Sequence, residues 1–325
     1  MSVYAVIGMG SIAKRHLKNL RFLYPDADIY VVSSSGRNLD LPEGANAVVS
    51  LEQLISLKPT YVIIASPAPY HTDAATLLLE NKVPVLIEKP LASDSEDAAK
   101  FLELCSSKDY PPVAVGYCLR FLPSALAVKA FLETEGLGTV YNVSSVVGQY
   151  LPGWRSDRNY KDSVSAKKEL GGGALLELSH ELDYLMWLFG SVTLQHSWLR
   201  TTAELGLEVE EIADLVLTTE SGVHISVHLD FIQKSTQRKC ELIGEKGRLF
   251  WDLLANTVTF IDATTTTVIY ADPQYDKNRM YLDMLKTFAA ADNDGTQELA
   301  SVHSSLNVVQ LIDAAKKTNK GRIVS

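Results

Sequence analysis

Three cysteines in 325 residues, Cys105, Cys118 and Cys240, are too few and too widely spaced for a disulfide framework or a zinc site. A reducing, cytoplasmic setting is expected, and no metal is indicated. Basic residues are also short, because 30 lysines and arginines face 39 aspartates and glutamates and leave a formal net charge of −9. Nucleic-acid affinity is carried largely by lysine and arginine neutralising phosphates, so neither that balance nor any basic run supports a nucleic-acid partner. No apolar run reaches the roughly 18 residues of a membrane span. A strand pattern begins by Val3 and leaves no room for a signal peptide, so no membrane partner is expected. Internal repeats and low-complexity linkers are missing too. What remains is an ordinary globular composition, 46% hydrophobic and 21% charged, on a chain long enough for about two domains with their own cores.

Val3–Ile7 is a continuous apolar, β-branched run, the pattern of a strand buried on both faces of a parallel sheet. Gly8-Met9-Gly10-Ser11-Ile12-Ala13 follows at once and opens a helical segment over 13–20. This is a G-x-G-x-x-A turn with a strand before it and a helix after it. The first glycine permits the tight turn, the second lets a pyrophosphate approach the backbone, and the small Ala13 lets helix pack on strand while the helix N-terminus stabilises the anion. Gly8, Gly10, Ser11, Ile12 and Ala13 are therefore candidate cofactor residues. The second strand, 29–32, should end near the adenosine ribose, where an NAD site usually offers a carboxylate. This chain offers Ser33, Ser34, Ser35, Gly36 and Arg37 instead. Hydroxyls and a guanidinium suit a 2′-phosphate, so NADP is expected in preference to NAD.

Two further strand-helix units follow. A strand over 61–65 runs into Ser66-Pro67-Ala68-Pro69-Tyr70-His71 and a helix over 72–80, and a strand over 83–87 delivers Glu88-Lys89-Pro90 at its carboxyl end. Ligands of open α/β sheets bind outside those carboxyl ends, which marks Lys89 as a functional lysine. Ser93-x-x-Glu96 reads as a capping box for the helix that runs to Cys105.

Beyond Leu119 the alternation gives way to a helix over 124–132 and then mostly strands, over 139–149, 194–201, 212–219 and 223–229, with turns at Glu220-Ser221-Gly222 and Gly244-Glu245-Lys246-Gly247. This is the pattern of an α+β domain on a largely antiparallel sheet. Between its strands lies "GGGALLELSHELDYLMWLFG", residues 171–190. Leu178, Leu182, Leu185 and Phe189 recur at helical spacing, and Glu177 and His180, three apart, share a face. A histidine at the start of a buried helix reads as a satisfied structural residue or as an acid/base, for which its ordinary pKa near operating pH suits it. Asp183, one turn on, reads as orienting the imidazole or capping a buried interaction. Residues 150–170 form a long polar loop with Trp154, Arg155, Arg158, Tyr160, Lys167 and Lys168. Loops of that length are usually functional or disordered. Arg120, Trp154, Arg155, Tyr160, Lys168 and Asp183 are candidate substrate contacts for a sugar carrying a phosphate or nucleotide.

"GMGSIAKRH", "ASPAPYH", "EKP" and "GGGALLELSHELD", in this order and at these separations, resemble the Gfo/Idh/MocA oxidoreductases, the glucose-fructose oxidoreductase and inositol dehydrogenase group. The resemblance covers nearly the whole chain. It implies an N-terminal Rossmann domain, a doubly wound parallel α/β sheet over 1–120 with the segment 300–325 packing back on it, and a C-terminal α+β domain over 121–299 with an open sheet for substrate binding and oligomerisation. It implies that Lys89 is catalytic or positions substrate, that His180 is the acid/base, that Lys89-Pro90 is a cis peptide, and that Ser66, Pro67, His71 and Glu88 line the cofactor. Many relatives carry an aspartate four residues before the histidine, whereas Glu177 stands three before His180. The loop and "LELSHELDYL" also resemble members associated with nucleotide-sugar or surface-sugar pathways.

The expected protein is an NAD(P)-dependent sugar or polyol oxidoreductase, assembled as a homodimer or homotetramer. Its rivals are a non-catalytic NAD(P)-binding regulator and a dehydrogenase of a non-sugar substrate. From the residues at 33–37, NADP(H) is expected to bind at least several-fold more tightly than NAD(H), and Arg37→Ala to narrow that gap. Titration giving equal affinities or an NAD preference overturns the assignment.

Overall fold

The computed structural model describes residues 2–32, 41, 44–48, 50–107, 109–154, 159–291, 298–318 and 322–324. The chain divides into two compact units, Met1–Cys118 with Asn278–Val309, and Leu119–Lys277 with Gln310–Ser325. In the first, β1 (Val3–Ile7), β2 (Asp28–Val32), β3 (Ala45–Val48), β4 (Tyr61–Ile64), β5 (Val85–Ile87) and β6 (Val113–Val115) form a parallel sheet in the order β3-β2-β1-β4-β5-β6. The strand order reverses between β1 and β4, the switch point at which such sheets receive ligands. Val6, Val31, Ile63, Ile64 and Leu86 are fully buried, as continuous apolar strands require. The connecting helices are α1 (Ser11–Leu23), α2 (Leu51–Ser56), α3 (His71–Glu80) and α4 (Ser95–Ser107). Ser50 caps α2 by accepting the Gln53 amide. The expected capping box at Ser93 is corrected: one carboxylate oxygen of Asp94 accepts the amides of both Glu96 and Asp97, which a serine hydroxyl at the preceding position does not do.

The second unit contains α5 (Pro123–Glu133), β7 (Val140–Gly148), α6 (Ala174–Glu177), α7 (His180–Phe189), β8 (Val192–Thr202), β9 (Ile212–Thr219), β10 (His224–Asp230), β11 (Gln237–Gly244), β12 (Gly247–Asp252), β13 (Thr257–Ile261) and β14 (Thr266–Ala271). After α8 (Arg279–Ala290) and α9 (Val302–Thr318), β15 (Arg322–Val324) closes the chain's order of elements. The second sheet runs β14-β13-β12-β11-β7-β10-β9-β8-β15 and is antiparallel except at β7·β10 and β8·β15. Its strands alternate. Val143, Val147, Ile225, Leu229, Cys240, Leu242 and Trp251 point into the core, where Trp251 Nε1 donates to Ser124 Oγ of α5. Residues between them stand on the opposite, half-exposed face.

The expected return of the whole segment 300–325 to the first unit is corrected. Residues through Val309 do lie there, with Ala300 bridging Val115, but the chain from Gln310 belongs to the second unit and β15 pairs with β8. An unpaired strand edge leaves its N–H and C=O groups open, and β15 satisfies those of β8. Among the described residues no helix is long and apolar enough to cross a membrane.

On the half-exposed sheet face, His228 of β10 lies between two carboxylates, with Nδ1 2.6 Å from Asp214 Oδ1 and Nε2 2.8 Å from Asp230 Oδ2. Arg200 also pairs with Asp214. Hydrogen bonds to Asp214 and then Asp230 push the His228 pKa up from 6.5 to about 9. A raised folded-state pKa means that the charged ring stabilises the fold fully below the ordinary value, and that this stabilisation is lost as pH rises through the folded-state value. The denaturant midpoint should therefore fall between about pH 6.5 and about pH 9, and His228→Gln should flatten that fall. An unchanged pH profile in the variant refutes the assignment.

Candidate active site

The candidate residues of the first unit are set by backbone geometry. Gly8 has φ of +117°, and a Cβ there would lie 2.5 Å from the Ala65 carbonyl oxygen at the end of β4, so only glycine fits. Gly10 caps the N-terminus of α1, where an added Cβ would meet nothing within 4 Å. Ser11 is exposed, Ile12 half-buried and Ala13 fully buried against the sheet. The first turn of α1 carries no acidic residue. Backbone amides at a helix N-terminus with no acidic residue in its first turn form a cradle that fits a dinucleotide pyrophosphate. Ser33, Ser34, Ser35 and Arg37 lie outside the described residues.

The ends of β4 and β5 are tied to that helix and to each other. Glu88 is buried and its Oε1 lies 2.6 Å from Nε2 of His16, itself fully buried on α1. Its other oxygen accepts the Lys89 amide at 3.3 Å. A Cβ at Gly116 would be 3.3 Å from the Glu88 carboxylate, so that glycine leaves room for it. His71, at the start of α3, places Nε2 2.7 Å from the Ser66 carbonyl oxygen and Nδ1 2.9 Å from that of Pro90. Burial holds the His71 pKa below its ordinary value against those two acceptors, so the neutral ring donates to one of them. Glu88 and His71 thus face inward, Ser66 and Pro67 are half-buried, and Lys89 is half-buried beside the cis peptide to the buried Pro90.

In the second unit, the helix expected across Glu177 and His180 is corrected. It breaks at Leu178, so Glu177 ends α6 and His180 begins α7, and the shared-face argument does not apply. Glu177 Oε2 accepts from Ser165 Oγ at 3.0 Å, which ties α6 to the preceding loop. The other two acids of the motif are held by arginines. Glu181, fully buried, receives Arg238 of β11 at 2.6 and 3.0 Å. Asp183 receives Arg120 at 2.9 and 2.6 Å, with both side chains buried. Burial raises the Asp183 pKa while the guanidinium pulls it back. Tyr184 shares a 2.7 Å hydrogen bond with Ser145 of β7. His180, at the first residue of this fixed helix, is half-buried.

Asp183 and Arg120, expected at substrate, therefore bind each other. Trp154 donates to the Gln149 carbonyl at 3.3 Å and packs edge-on against Phe231, and Tyr160 donates to the Leu205 carbonyl at 3.1 Å. Lys168 is exposed, and Arg155 lies outside the described residues. The loop carrying them is a chain of short 3-10 turns at Leu151–Gly153, Tyr160–Asp162, Val164–Ala166 and Lys168–Leu170. Sequence reasoning missed His16, although it shares the helical spacing of Ala13, Leu17 and Leu20, the buried face of α1. Arg238 carries no signal of its role, because its partner is 57 residues away.

These two units match known families. Residues 3–117 match the oxidoreductase family, NAD-binding Rossmann fold, and residues 125–250 match the GFO/IDH/MocA C-terminal domain. The chain belongs to the Gfo/Idh/MocA oxidoreductase family and is NAD(P)-binding. It is 25% identical over 251 residues to the inositol 2-dehydrogenase of Corynebacterium glutamicum (strain R), covering 74% of this chain and 71% of that one. Inositol 2-dehydrogenase 1 of Saccharopolyspora erythraea is 27% identical over 279 residues, 82% of this chain and 79% of the relative. The fold matches levoglucosan dehydrogenase in complex with NADH and L-sorbose, at a TM-score of 0.82 and 18% identity over 98% of this chain and 96% of that one. It also matches a 3-ketoreductase from Actinomadura kijaniata in complex with TDP-benzene and NADP, at a TM-score of 0.81 and 18% identity over 100% and 99% of the two chains.

The Arg120–Asp183 pairing makes a prediction that separates support from substrate contact. Arg120→Leu strands a buried carboxylate and should destabilise the protein by about 3–5 kcal/mol in denaturant unfolding. A variant of undiminished stability with a raised KM would instead return Arg120 to the substrate.

Proposed function

We propose that the chain is an NAD(P)-dependent dehydrogenase or reductase that transfers hydride between nicotinamide and a secondary alcohol or ketone of a sugar, sugar derivative or nucleotide sugar. The observation that carries this reading is placement: Lys89 and His180 stand half-buried on fixed elements, and the acids beside them in sequence are held in buried pairs. The bound nicotinamide supplies the hydride acceptor or donor. In the oxidative direction His180 removes the hydroxyl proton as hydride leaves the same carbon, and the Lys89 ammonium stabilises the negative charge that develops on oxygen. In reduction each role runs in reverse. Gly8, Gly10 and the first turn of α1 receive the pyrophosphate, and residues 33–37 favour NADP over NAD. Names of relatives support the substrate class, since they include inositol 2-dehydrogenase, levoglucosan dehydrogenase and a 3-ketoreductase. The half-exposed face of the second sheet is the surface for a homodimer or homotetramer.

Turnover should be screened with inositol, levoglucosan and nucleotide sugars against both cofactors. On the substrate found, His180→Ala should lower turnover by about a hundredfold or more with cofactor affinity nearly unchanged, because general acid-base catalysis contributes about 10² to 10⁴. Lys89→Met should also slow turnover, and the double variant should lose less than the product of the two. Glu177→Gln discriminates between roles: a large loss makes it the partner of His180, and a small one leaves it as the loop anchor its bond to Ser165 suggests. A folded His180→Ala protein that keeps most of its activity sinks the catalytic reading.

A further inference from the structure

Lys89 is bracketed by two residues, and each is held by a buried histidine from a different helix. His16 of α1 bonds the Glu88 carboxylate, whose second oxygen accepts the amide of Lys89. His71 of α3 lies between the carbonyl oxygens of Pro90, at 2.9 Å, and of Ser66, at 2.7 Å beyond the end of the neighbouring strand β4, and its neutral ring donates to one of them. The two imidazoles are 0% and 1% exposed, so neither is placed to meet a substrate. A leucine of similar volume would fill either space, yet it would leave a buried carboxylate or a carbonyl without its donor. The backbone on both sides of the lysine therefore lies against a buried imidazole, while the lysine itself is half-buried. One of those bonds begins on the helix whose N-terminus forms the anion cradle.

We propose that His16 and His71 are positioning residues for Lys89, acting through Glu88 and through the Pro90 carbonyl. The pair sets the direction of the lysine and couples it to α1 and to the Ser66 turn. Glu88 adds a charge whose own position is fixed by His16, so loss of that histidine moves both the lysine's backbone and its nearest sequence-adjacent anion. The proposal rests on the reading of Lys89 as the charge stabiliser, but its test does not need turnover.

The measurement is the rate at which acetic anhydride acylates Lys89 in the intact protein, followed peptide by peptide by mass spectrometry, with Lys18 on the exposed side of α1 as internal control. His16→Leu and His71→Leu should each change the Lys89 rate by about threefold or more, on the scale of one lost hydrogen bond. The Lys18 rate should stay unchanged. His16→Gln and His71→Gln restore an N–H donor and should bring the rate back to within about twofold of the parent protein. Folded leucine variants in which Lys89 reacts as in the parent overturn the proposal. If His16→Leu does not fold, Glu88→Gln takes its place, since it weakens the same link with little change of shape; an unchanged Lys89 rate there is equally fatal. Full turnover in Lys89→Met would remove the lysine's catalytic role, and it would do so without altering the labelling result.

Discussion

A carboxylate at the end of a parallel strand, closed off from water, is costly unless a partner reaches it, and in the nucleotide-binding unit the partner is His16. Much of the geometry at the strand ends depends on that one contact. It requires α1 to run close enough over the sheet for a side chain at its second turn to reach β5, which the fully buried Ala13 permits. Gly116 on the far side must have no Cβ, since its position is already within 3.3 Å of the carboxylate. Gly8 must likewise let β4 approach, because Ala65 occupies the space a side chain would need. The residues of the glycine turn and of the Glu88-Lys89-Pro90 segment are thus parts of a single packing solution, in which small residues bring elements together and buried imidazoles fix what remains polar.

The second unit solves a different problem with different means. Leu182 and Leu185 bury one side of α7, but apolar burial tolerates rotation and sliding of the helix. Two bidentate arginine-carboxylate pairs do not, because a planar fork matches its partner in one orientation only. Buried ion pairs add little net stability over apolar replacements of the same volume. Their consequence here is orientation: with Glu181 tied to Arg238 of β11 and Asp183 to Arg120 ahead of α5, the start of α7 is held in a defined direction, and its first residue is His180.

Periodicity and glycine placement made the fold readable. The parallel sheet follows from continuous β-branched runs and the antiparallel one from alternating strands with glycine turns, because both patterns are local. The short β3 and α2 left no comparable signature, since four and six residues carry too little period. The break at Leu178 was hidden because the apolar spacing continues across it in two successive short helices. Candidate residues were easier to name than their attachments. Lys89 and His180 could be named from their motifs, whereas Arg120 and Asp183 look like substrate ligands until a distance shows that each is the other's partner. Pairings 57 to 72 residues apart are set by topology, and no window of sequence contains them.

That distinction also changes the meaning of the overall charge. A net charge of −9 suggests a surface hostile to anions, yet the buried acids around the functional segments do not contribute a free negative field. Glu181 and Asp183 are matched by guanidinium groups, Glu88 is bonded by His16, and Glu211 is held by the amides of Thr202 and Leu207. Fields from exposed acids are screened within about 10 Å at ordinary ionic strength, whereas a half-buried lysine and a helix N-terminus act on what lies directly against them. An acidic protein can in this way present locally favourable ground for a pyrophosphate and for an oxygen that becomes negative during hydride transfer.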